Sequence, residues 1–189
     1  MGVGPVTVVS NISQTETYLY LNQTTPDNWI LANDLAGNGR VRVEDGSYTL
    51  TLLGTTISPG TNTGMAARFA ITGALAFTNN GPQYAALCVD ITDSNNVAGA
   101  DYDQLVVSGN VTALDHADLR VSIATNLTPA VIGTQTFTIV TCANDTGSGL
   151  GFHSVKWPDG WRGAVAYGAG FVNLQNMRKT AAGTIIMIR

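Results

Sequence analysis

The chain has 189 residues and a formal net charge of −4, with 12% charged residues against 44% hydrophobic residues and 21 glycines. Charge at about half the ~25% of an ordinary soluble domain excludes a coiled coil or helical bundle, which needs abundant Glu and Lys at helical spacing. The nine Lys and Arg are scattered, which argues against a nucleic-acid partner, because phosphate recognition needs a basic stripe.

Residues 1–28 read as an N-terminal arm or as first strands, and residues 29–189 as a single all-β domain. Met1-Gly2-Val3-Gly4-Pro5 lacks the charged start and apolar run of a secretory signal. No apolar stretch approaches the ~20 residues of a membrane-spanning helix, so no membrane insertion is expected. Short β-branched and aromatic runs begin with Val6–Val9, Tyr18–Leu21, Trp29–Ala32, Val41–Val43 and Tyr48–Leu53. They continue through Arg68–Ile71, Leu75–Phe77, Tyr84–Ile91, Gln104–Val107 and Leu119–Ile123. Phe137–Val140, His153–Val155, Ala164–Tyr167, Phe171–Leu174 and Thr184–Ile188 complete the series. Many alternate with period two, and turn signals such as Glu44-Asp45-Gly46, Ser58-Pro59-Gly60, Asn79-Asn80-Gly81-Pro82 and Pro158-Asp159-Gly160 fall between them. No window supports a long amphipathic helix.

The expected fold is all-β, as a short β-solenoid, with a β-sandwich or jelly roll as the alternative. Low charge favours the solenoid, because stacked turns bring like residues into ladders and like charges there repel. No strict repeat period is visible. Cys88 and Cys142 each lie in an apolar run, which reads as a free thiol or as one bridge between them.

A longer pattern runs from Leu31-Ala32-Asn33-Asp34-Leu35-Ala36-Gly37-Asn38-Gly39 to Asp45-Gly46-Ser47-Tyr48-Thr49-Leu50-Thr51-Leu52-Leu53-Gly54. Pro59-Gly60-Thr61-Asn62-Thr63-Gly64, Asp101-Tyr102-Asp103-Gln104-Leu105-Val106-Val107-Ser108-Gly109 and Thr136-Phe137-Thr138-Ile139 follow it. Over residues 30–175 this order resembles the β-helical passenger regions of bacterial autotransporters and related exported repeat proteins. The Asp101–Gly109 segment is its most specific piece. The resemblance implies an extracellular scaffold and brings no catalytic residues with it. The chain departs from that family in showing no export signal and no C-terminal membrane barrel, and in having room for only a few rungs. Those departures suit a fragment of a passenger, or a related module on the outside of another assembly such as a virus particle.

Three sets of residues are candidates for a site. Asp90, Asp93, Asp101 and Asp103 form an acidic stretch that either binds calcium through carboxylate oxygens or caps strand ends. Val97 and Gln104 break the EF-hand spacing. Asp101 and Asp103 would share a face of a strand about 7 Å apart, a separation compatible with glycoside hydrolysis but common to any strand. Trp157, Trp161 and Tyr167 either stack on a glycan or cover an end of the core. Tyr18, Tyr20, Ile185 and Ile188 are the expected assembly contacts. His116, between Asp115 and Asp118, reads as a surface loop residue, and His153 as a structural strand residue.

The function expected from these features is that of a non-enzymatic structural protein without a resident cofactor. It would work outside the cell or on a virion exterior through homo-oligomerisation or docking to a protein lattice. A virion decoration or fibre protein and a carbohydrate-binding module are the alternatives.

Overall fold

Period-two alternation sets the strands. In β6 (Thr49–Leu53), β8 (Arg68–Thr72) and β9 (Ala74–Thr78) every second side chain is buried, as a strand with one face on a core requires. The computed structural model describes residues 6–8, 18–21, 29–37, 40–43, 49–60, 64–143 and 151–180. These residues are mostly β-strand, and most of the pairing is parallel.

Successive strands fall to three sheets in rotation. The first sheet runs β1 (Val6–Val8), β4 (Leu35–Gly37), β7 (Thr56–Pro59), β10 (Ala85–Ile91), β13 (Ala117–Ile123) and β15 (Ser154–Lys156). The second begins with β2 (Tyr18–Leu21), β5 (Arg40–Val43), β8, β11 (Gln104–Val107) and β14 (Thr136–Thr141), and β17 (Phe171–Lys179) and β16 (Trp161–Gly168) close it. The third holds β3 (Trp29–Leu31), β6, β9 and β12 (Val111–Thr112). Up to β13 each strand therefore pairs, in parallel, with the third strand before or after it.

Register turns this rotation into columns. Val6, Leu35, Ile57, Leu87, Leu119 and Val155 are matched one to the next across the first sheet. Leu35, Ile57, Leu87 and Leu119 are each at most 1% exposed. In the third sheet Leu50 and Leu52 stack on Leu75 and Phe77, and in the second Phe69, Leu105, Val140 and Val172 make another column. Burying each such side chain contributes roughly 1.5–3 kcal/mol, so the columns are the main source of cohesion.

The connections are unequal. Gly73 alone, at φ 121, carries the chain from β8 to β9. Between the first and second sheets the connecting segments differ in length, among them residues 38–39, 60–67, 92–103 and 124–135. The last of these contains α1 (Pro129–Ile132), a single helical turn with proline in its first position, where the missing N–H costs nothing. A 3-10 turn at Leu114–His116 precedes β13.

Two features differ from the sequence expectation. Ser58-Pro59 was expected in a turn, but both residues end β7, and the reversal falls at Gly60 with φ 92. The core match of Ile57 with Leu35 and Leu87 holds this short segment extended. At the other end the chain reverses direction. β17 is antiparallel to both β14 and β16, and β16 and β17, the last two strands of the described residues, span eight and nine residues rather than the shorter runs expected.

Candidate functional site

Of the acidic stretch, Asp90 lies near the end of β10, and Asp93, Asp101 and Asp103 lie in the long segment between β10 and β11. Asp103 is fully buried; its Oδ1 accepts from Ala67 N at 2.8 Å and its Oδ2 from Asp90 N at 2.9 Å. Asp90, 8% exposed, accepts from Gly64 N at 2.5 Å, and Asp101, 7% exposed, accepts from Val97 N at 2.7 Å. Asp93 is exposed and caps Ser94 N at 2.6 Å. These carboxylates therefore bond backbone donors of three successive segments and pin one corner of the fold. Gly99 completes the corner: at φ 80, a Cβ there would lie 2.5 Å from Arg68 Cγ. Burial pushes the Asp103 carboxyl up to about 8 from 3.8, against the pull of its two N–H donors, and the neighbouring Asp90 charge adds to the rise. Residues 101–103 lie outside any strand, and Asp101 and Asp103 bond different segments. Among the described residues no three His, Cys, Asp or Glu side chains group as a metal site.

The aromatic candidates cluster at the end where β16 and β17 close the second sheet. Trp161 is 8% exposed and belongs to the core, so its indole offers no stacking face. Trp157 is half-buried and covers Gly163, where a Cβ would lie 2.6 Å from Trp157 Cη2. Tyr167 is 40% exposed; its ring covers Gly151, and its Oη accepts from Phe152 N at 3.0 Å. Phe171 lies over Gly168 in the same way. Each ring fills the space beside a glycine, a packing device that restores apolar contact where a strand lacks a side chain.

A third constellation, not anticipated from the sequence, centres on Asp118 of β13. Its side chain is 10% exposed, with Oδ1 accepting from Ser154 Oγ at 2.7 Å and lying 3.1 Å from His153 Nδ1. Lys156 Nζ donates to Oδ2 at 2.9 Å. Burial opposes ionisation of Asp118, but the hydrogen bonds from Lys156, Ser154 and His153 outweigh it and hold the carboxyl well below the usual range. His153 stacks on Tyr84, ring centroids 3.6 Å apart and planes within 12°. It precedes β15 rather than lying inside a strand. The partners lie 35, 36 and 38 residues from Asp118 in the chain and meet it only because Asp118 and Ser154 share a register position. Local spacing carries no signal for such a meeting.

His116 ends the 3-10 turn, with its side chain 45% exposed and 3.9 Å from Asp115. No disulfide joins Cys88 and Cys142, which decides between the two alternatives, and burial pushes the Cys88 thiol up. Tyr18 and Tyr20 lie in β2, opposite Arg40 and Arg42 of β5. Ile185 and Ile188 lie outside the described residues. No helix among the described residues is long and apolar enough to cross a membrane. No protein-family model matches the chain, and no curated protein matches it.

Proposed function

We propose that the chain is a short β-solenoid that serves as a non-enzymatic structural protein of an external assembly, as a surface scaffold or a coat or filament subunit. It acts by self-association through strand edges. The observation that carries this reading is the placement of β1, β2 and β3, each, among the described residues, at the outer end of its own sheet and paired in parallel on one side. An unpaired strand edge presents a row of N–H and C=O groups that templates another chain, and three edges at one end of a stack form one closed contour for docking. The pairing of third-neighbour strands supports the solenoid over the sandwich, whose sheets are joined by antiparallel pairs. The buried aspartates support a structural role, because their oxygens are engaged by backbone donors.

The test is sedimentation velocity over a concentration series, with the wild type and a Tyr18→Lys/Tyr20→Lys variant. Lysines opposite Arg40 and Arg42 place like charges along the edge of β2, which disfavours docking of another strand. The wild type is expected to associate as concentration rises, and the variant to do so at least about tenfold more weakly with its circular dichroism unchanged. A wild type monomeric throughout, or a variant that associates as the wild type does, overturns the reading.

A further inference from the structure

Arg162 and Arg178 stand directly opposite one another on β16 and β17. Residues directly opposite in an antiparallel pair project from the same face with Cβ atoms about 4.5–5.5 Å apart, so two exposed guanidiniums rise side by side. Like charges in that arrangement repel unless an anion lies between them. The ion pairs of the described residues centre on Asp115 and Asp118 and include neither arginine. Asp159, the nearest acid along the chain, is exposed in the turn before β16 and pairs with neither among the described residues.

Next to this pair the ladder breaks. The register shifts between Arg162 and Ala164, and Asn176 on the opposing strand takes φ 53. The irregularity opens a cleft of about 550 Å³ lined by Gly133, Gly163, Ala164, Asn176, Met177 and Arg178. That volume lies within the range of small-ligand sites, about 300–1,000 Å³. Arg178, one of the pair, lines this cleft, and Arg162 stands opposite it on β16.

We propose that this cleft binds a small ligand carrying an oxyanion, a carboxylate or a phosphate, held by the guanidinium of Arg178 in the cleft wall and joined by that of Arg162 opposite it, while the rest of the ligand lies in the cleft. The planar fork of arginine matches such groups with two parallel hydrogen bonds. This site is independent of the strand edges at the opposite end of the stack.

The experiment is titration of the full chain with glucuronate, inorganic phosphate and neutral glucose in separate arms, followed by the amide NMR shifts of Gly133 and Gly163. Glucuronate or phosphate is expected to saturate those shifts, and the arm that does so identifies the oxyanion. Glucose is expected to leave them unmoved, and added salt to weaken the response. Arg162→Gln/Arg178→Gln should weaken binding at least about tenfold with the β signal intact, and Arg178→Lys, which keeps charge but loses the fork, should weaken it less. The proposal is overturned if neither anion moves the two glycines, if glucose binds equally well, or if the double glutamine variant binds as the wild type does.

Discussion

At Asp103 burial outweighs two N–H donors and the carboxyl titrates near 8, whereas at Asp118 three side-chain donors outweigh burial and the carboxyl stays ionised far into acid. The consequences for stability have opposite signs. Asp103 binds its proton more tightly folded than unfolded, so its contribution is complete below about pH 4 and is lost as pH rises to about 8. Asp118 binds its proton less tightly folded, so its contribution is present above about pH 4 and is lost as pH falls further. Thermal unfolding midpoints measured from acid to mild alkali should therefore peak near pH 4–5 and decline on both sides. Asp103→Asn should flatten the alkaline decline while lowering the peak, because an amide presents only one acceptor to Ala67 N and Asp90 N. A wild-type midpoint that is level from pH 4 to pH 8 would contradict the assignment of Asp103. The acidic stretch was legible as a cluster, but the role of each acid was not. That role depends on which backbone donors the neighbouring segments deliver, and Gly64 and Ala67 lie a full circuit away in the chain.

Among the elements, β6 and β9 were readable because alternation runs through all five residues of each. β4 and β12 were not, being only three and two residues long, and β7 was hidden by the turn signal of Ser58-Pro59-Gly60; they are strands because their neighbours in register are. The first-sheet column shows why no period was visible. From Val6 to Val155 its steps are 29, 22, 30, 32 and 36 residues. Leu87, in the middle of that column and fully buried, should be its most sensitive position. Leu87→Ala is expected to cost about 2–5 kcal/mol in urea unfolding, and Ser58→Ala, on the outward face of β7, no more than about 0.5 kcal/mol. Equal effects would mean that the column is not the core. The closing hairpin of β16 and β17 was half legible: its aromatic residues stood out, but their use beside glycines depends on strand pairing.

Over the whole molecule, the proposed solenoid implies that each circuit of strands packs chiefly on its neighbours, so that nearest-neighbour contributions set its stability. Circuits in the middle have neighbours on both sides, whereas among the described residues the circuit of β1, β2 and β3 has one. Amide hydrogen exchange should accordingly be slowest in β10, β11 and β13 and fastest in β1 to β3. Uniform protection across all circuits in the unassociated chain would contradict this nearest-neighbour account.

The lengthening of a single corner separates what must stay constant from what is free to change. Column register is kept on either side of segments that range from two residues to twelve, and doubling a flexible segment costs only about 0.6 kcal/mol in closure entropy. Mutation can therefore diversify that flank, or a foreign sequence be grafted into it, while the stacked interior goes on folding to the same geometry.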